Sequence, residues 1–131
     1  MLIRKVILML ALGLTCSSAV AEWTMVNSDE VADDYVNSDN LRRVGDMVKM
    51  WNMSDYKSLQ KGSGAIPYKS SISLYEYNCK EIQKRWLSFT SYKNKGAKGV
   101  VVSNESYVGQ WVEIVPDTIS ETLWKTACGK H

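Results

Sequence analysis

Two cysteines, Cys79 and Cys128, do most to limit the folds open to this chain. They count as a pair because the sequence begins with an address. Arg4 and Lys5 precede a short apolar run, Val6 to Leu14, and Ala19-Val20-Ala21 supplies the small-x-small site that a signal peptidase reads. Cleavage after Ala21 is expected to remove residues 1–21 and leave 22–131 as a single exported domain. Cys16 leaves with the removed segment. Two other readings compete: a buried N-terminal helix, and a lipidated Cys16. Gly13 and Thr15 stand where a lipoprotein signal wants Leu and a small residue, which disfavours lipidation and leaves it open. In an exported domain an even cysteine count most simply means a disulfide. Closing a loop of about 50 residues stabilises the fold by about 4 kcal/mol on the chain-entropy model. A reactive or metal-binding thiol pair is the alternative, and it lacks nearby histidine ligands.

Cleavage also changes the charge. The whole chain carries 16 Lys+Arg against 14 Asp+Glu. Both basic residues of the leader are lost, so the mature part is formally neutral and gives no nucleic-acid signal. The apolar run falls far short of the roughly 20 residues of a spanning helix, and nothing longer follows, so no transmembrane segment is expected in the mature chain.

The mature chain reads as short strands. Trp23–Val26 and Tyr35–Asn37 come first. Met47–Met53 follows a Gly45-Asp46 turn, and Lys61–Gly64 makes a flexible loop closed by Pro67. Ser70–Tyr77 alternates, with Ile72 and Leu74 facing one way and Ser73, Tyr75 and Tyr77 the other. Arg85–Tyr92 is aromatic and β-branched. After a basic, glycine-containing turn, Val100–Val102 and Gln110–Val115 are expected to form a last hairpin around 104–109. The end is helical: Thr118 and Glu121 match a capping box, Leu123, Trp124, Ala127 and Cys128 recur at helical spacing, and Gly129 stops the run. The expected fold class is α+β, a mainly antiparallel sheet of five or six strands covered by one C-terminal helix, with the disulfide tying Cys128 of that helix to Cys79.

The order of residues along the chain carries a resemblance. Tyr35-Val36, Leu41-Arg42-Arg43-x-Gly45-Asp46, Val48-x-Met50-Trp51-x-Met53-x-Asp55-Tyr56, Tyr77-Asn78-Cys79-Lys80, Gly99-Val100-Val101, Pro116 and the Trp124–Cys128 helix appear in turn. Together they resemble the surface-adhesin protein E family of Gram-negative bacteria, over nearly the whole mature chain. Asn37 and Asp117 depart from the pattern, where an acidic residue and a glycine are expected. The resemblance implies an antiparallel sheet with a disulfide-tied C-terminal helix, no catalytic residues, and binding to host extracellular-matrix or serum proteins with some self-association. It implies a place in the periplasm or on the outer cell surface.

Little in the chain points to catalysis, and an enzyme is not expected. The one histidine, His131, is the last residue and offers no oriented imidazole. Glu76 and Glu81 could be a carboxylate pair, but they read better as solvated strand-end charges. Met47, Met50 and Met53 suggest thioether ligation of copper(I). On a strand, however, Met50 points away from Met47 and Met53. No metal or cofactor is expected.

Charge placement gives a candidate binding site. Residues 22–39 hold Glu22, Asp29, Glu30, Asp33, Asp34 and Asp39 with no basic residue. Residues 80–98 hold Lys80, Lys84, Arg85, Lys93, Lys95 and Lys98 against Glu81, with aromatic residues between them. Lys84, Arg85, Tyr92, Lys93, Lys95 and Lys98 are therefore the candidate contacts to acidic proteins or polyanions. The plain alternative is a solvated, lysine-guarded sheet edge. The opposite charges of the two stretches also allow a head-to-tail homodimer. A second function class stays open: a periplasmic inhibitor of cell-wall lytic enzymes, whose acidic face would meet a basic lysozyme.

Overall fold

The computed structural model describes residues 22–62 and 66–130. The expected signal segment 1–21 and His131 lie outside the described residues, as does part of the expected Lys61–Gly64 loop. In chain order the elements are β1 (Thr24–Ser28), β2 (Ala32–Val36), a 3-10 turn (Ser38–Asn40), β3 (Arg42–Val44), β4 (Met47–Lys61), β5 (Pro67–Asn78), β6 (Gln83–Asn94), β7 (Lys98–Ser106), β8 (Val112–Glu113) and helix α1 (Ile119–Cys128).

All strand pairs are antiparallel, and the sheet runs β1-β2-β4-β5-β6-β7. Its eight strands exceed the expected five or six. The extra two are very short. β3 pairs with the start of β4, beside β2, and β8 pairs with the start of β6, beside β7. Each continues a row that a longer strand already occupies, so the sheet is six strands wide. The expected hairpin between Val100–Val102 and Gln110–Val115 does not form. β7 and β8 both pair with β6. β8 continues in the direction of β7, and the segment between them is held at Gly109, whose N–H donates to the Trp86 carbonyl at 2.8 Å. A Cβ at Gly109 would stand 3.2 Å from that carbonyl oxygen.

The helix forms as its sequence requires. Thr118 takes an extended N-cap conformation, and its Oγ1 accepts from the Glu121 N–H. The return half of the capping box is absent, because the Glu121 carboxylate pairs with Lys125 one turn on. Gly129, φ +68°, closes the helix in the left-handed region. The disulfide joins Cys128 to Cys79, just past the end of β5. Trp124 donates its indole N–H to the Asn78 carbonyl at 3.0 Å.

The sheet thus has two unlike faces. Cross-strand pairs share a face, so the register assigns every side chain. The covered face buries Val36, Val48, Met50 and Tyr77 against Leu123, Trp124, Ala127 and the disulfide. At the end of this face away from the helix, Asp34, Ser54, Ser71, Ser91 and Ser103 form one row across five strands. Ser54 donates to Asp34 at 2.7 Å, and Ser71 meets the Tyr56 hydroxyl at 3.1 Å. The open face carries Lys49, Trp51, Met53, Ile72, Leu74 and Tyr92. Ile72 and Leu74 therefore oppose Ser73, Tyr75 and Tyr77, as the alternation predicts, and Met50 opposes Met47 and Met53.

Candidate functional site

The site begins with two hairpins. Gly45, φ +60°, takes the left-handed first position of the two-residue β3–β4 loop. That loop pairs Val44 with Met47 and Arg42 with Lys49. The β5–β6 turn pairs Glu76 with Arg85, and β4–β5 pairs Lys49 with Glu76. Arg42, Lys49, Glu76 and Arg85 therefore lie in one row across four strands of the open face.

Glu76 and Arg85 are fixed. Glu76, 7% exposed as a residue, accepts through its carboxylate from Arg85 Nε at 2.7 Å. The Arg85 guanidinium also stacks on the Trp111 ring at 4.5 Å. Glu76 is thus a buried ion-pair partner rather than the solvated charge expected from sequence. Glu81 is exposed in the turn after β5. Arg42 and Lys49 are exposed, and neither has an ion pair among the described residues. Between these groups lies a cleft of about 520 Å³, walled by Val44, Met47 and Trp111. A neighbouring cleft of about 270 Å³ shares Arg42 and Lys49 and reaches Trp51 and Leu74. The row carries three cations against one buried carboxylate, so this end of the face is positive.

The six residues singled out from sequence do not form one surface. Lys84 lies on the covered face, beside the helix. It donates to Ser120 Oγ at 2.7 Å and sits 4.9 Å above the Tyr75 ring, and burial pulls its pKa down. Arg85, next in sequence, points to the open face. Tyr92 is also on the open face, near its far end, where it borders a cleft of about 310 Å³ with Trp23, Asn37, Trp51, Ile72 and Thr90. Lys93, Lys95 and Lys98 sit at the β6–β7 hairpin, roughly 30 Å along β6 from Lys84 at 3.3 Å per residue. Asp55 and Ser70 hold that hairpin by accepting from the Gly96 and Ala97 N–H groups at 2.6 and 3.0 Å. Lys93 and Lys95 join Lys69 around a separate cleft with Leu59, Ile66 and Pro67.

Arg42, Lys49, Trp51 and Trp111 were missed because no stretch of sequence gathers them. The available signal was the Gly45-Asp46 turn. Counting outward from a two-residue loop places Arg42 opposite Lys49.

Comparisons with known proteins give one consistent result. A family model described as Surface-adhesin protein E matches residues 23–129. The fold resembles solved structures of Haemophilus influenzae protein E. One, at 10% identity and a TM-score of 0.60, covers 79% of this chain and 88% of that one. The structure from a non-typeable strain, at 10% identity and a TM-score of 0.64, covers 86% of this chain and 79% of that one. A selenomethionine form, at 12% identity and a TM-score of 0.64, covers 86% and 89%. At these identities the likeness is one of fold. No curated protein sequence matches the chain.

Proposed function

We propose, because this chain belongs to the surface-adhesin protein E family, that it is a non-catalytic binding protein whose open sheet face contacts an anionic partner. Family membership makes it a surface adhesin by type. The finer reading is that residues 1–21 are a cleaved signal peptide and that 22–131 works in the periplasm or on the outer surface of a Gram-negative cell. The Cys79–Cys128 disulfide suits that route, since such bonds persist in oxidising compartments. Its partners are extracellular or periplasmic proteins with acidic surfaces, host matrix or serum proteins among them, or polyanions.

The observation that carries this reading is the row Arg42–Lys49–Glu76–Arg85 beside Trp111. It combines exposed cations that have no ion pair among the described residues with a rigid, aromatic-backed guanidinium, the combination that anchors anionic groups. The hairpin lysines Lys93, Lys95 and Lys98, candidates from sequence as well, lie apart from this row at the other end of β6. The test is binding of the exported protein to a panel of immobilised matrix and serum proteins and polyanions. Arg42→Glu/Lys49→Glu should abolish most binding, and Lys93→Glu/Lys95→Glu/Lys98→Glu should affect it less. Binding that ignores the first double variant would overturn the site.

The alternative, an inhibitor of cell-wall lytic enzymes, draws on the acidic β1–β2 edge. There Asp29 accepts from the Val31 and Ala32 N–H groups, Asp33 pairs with Lys57, and Asp34 accepts from Ser54. These hydrogen bonds hold the carboxylates in place without neutralising them, and only Asp33 faces a cation among the described residues. A lysozyme-activity assay with added protein separates the two readings.

A further inference from the structure

Three neighbouring clefts lie in line along the open face and together make up a trough. The first two share Arg42 and Lys49, and the second and third share Trp51. From Arg85 to Tyr92 along β6 the trough runs about 20 Å at roughly 3.3 Å per residue. Its two ends differ in chemistry. One end holds Arg42, Lys49 and the Arg85–Trp111 stack. The other holds Trp23, Trp51, Tyr92 and Thr90, with no charged residue among those lining its cleft.

We propose that this trough binds an acidic polysaccharide, with sugar rings against Trp51, Trp23 and Tyr92 and carboxylate or sulfate groups at Arg42 and Lys49. The inference rests on the binding reading above and names its ligand class. Two features favour a glycan over an acidic peptide. An extended peptide gains affinity by adding to a sheet edge, where backbone N–H and C=O groups are free. On a sheet face those groups are already used in the ladders, so only side chains are on offer. Aromatic rings present broad apolar faces that match the C–H face of a sugar, and their spread along the trough suits a repeating chain. Charge complementarity then selects the acidic members of the class.

The test measures affinity of the exported, disulfide-bonded protein for a heparin hexasaccharide, with poly-glutamate of matched charge and a neutral oligosaccharide as comparisons. The hexasaccharide should bind best. Arg42→Glu/Lys49→Glu, which alters only exposed side chains, should weaken it by about tenfold or more, and so should Trp51→Ala. Trp51→Phe should recover part of the loss and guards against misfolding of the alanine variant. Lys93→Glu/Lys95→Glu should leave affinity within about twofold, since those lysines lie outside the trough. Poly-glutamate binding as well as the hexasaccharide, with no effect of Trp51→Ala, would overturn the glycan and leave an acidic protein as partner. Failure of every polyanion, with matrix proteins still bound through Arg42 and Lys49, would overturn this inference alone. Indifference of all binding to Arg42→Glu/Lys49→Glu would overturn the open-face reading as well.

Discussion

Arg85 and Arg42 face the same cleft but should behave differently when removed. Arg85 holds a carboxylate that is almost wholly buried, so Arg85→Ala leaves Glu76 without a counter-charge in a poorly solvated place. Breaking such a pair costs about 3–5 kcal/mol when both partners are buried, and about half that is expected here because Arg85 is partly exposed. Arg42→Ala should cost less than about 0.5 kcal/mol, as exposed unpaired side chains do. Urea unfolding of the two variants checks this, and equal losses would contradict the assigned roles. Tyr77 makes a second case. Its ring is fully buried and its hydroxyl has no partner among the described residues. Burial, and then the neighbouring Tyr75, push its pKa above the ordinary 10.0. A raised pKa means that the native state keeps a proton the unfolded chain releases. The associated stability is intact below pH 10 and is lost as pH climbs beyond it. Lys84 works the other way: burial lowers its pKa from 10.5, so its unfavourable charged form is relieved as pH rises to that value. Tyr77→Phe should therefore not lower the melting temperature at pH 7, and it should flatten the decline above pH 10. A steeper alkaline decline in Tyr77→Phe would contradict this account.

At the scale of the elements, the helix depends on its tie to the sheet. Ten residues are too few to hold an isolated helix in water. Burial of Leu123, Trp124 and Ala127, the Trp124–Asn78 hydrogen bond and the disulfide fix it in place. Cys79→Ser or Cys128→Ser should cost about 4 kcal/mol, from the loop of 49 residues that the bond closes. An unchanged melting temperature under non-reducing conditions would refute the bond. These local features were legible because each depends on residues close in sequence: the Thr118 cap, the Gly129 stop, and the alternation of Ile72 and Leu74 against Tyr75 and Tyr77. β3 and β8 were not legible, since strands of three and two residues show no period. The burial of the serines on the covered face carried no sequence signal either. Ser71 and Ser91 are 3% and 0% exposed, and their hydroxyls find partners across the sheet in Tyr56 and Ser103.

At the scale of the whole molecule, strand order decides the site. The basic stretch 80–98 is continuous in sequence, but a strand sends alternate side chains to opposite faces. Lys84 and Arg85 therefore part company, and Lys93, Lys95 and Lys98 end at the opposite end of β6. The row Arg42–Lys49–Glu76–Arg85 exists only once β3, β4, β5 and β6 lie side by side, and that order is a tertiary fact. The tryptophans divide in the same way. Trp124 belongs to the core beneath the helix and Trp86 to the covered face, while Trp23, Trp51 and Trp111 border the trough. These indoles make the most direct test of the open face as the working surface. A nitrogen-labelled sample of the disulfide-bonded protein would be titrated with heparin hexasaccharide, and the five indole N–H resonances followed. The account predicts shifts at Trp23, Trp51 and Trp111 with Trp86 and Trp124 still. Shifts at Trp86 and Trp124, or at the backbone of 93–98 with the trough indoles unmoved, would contradict it.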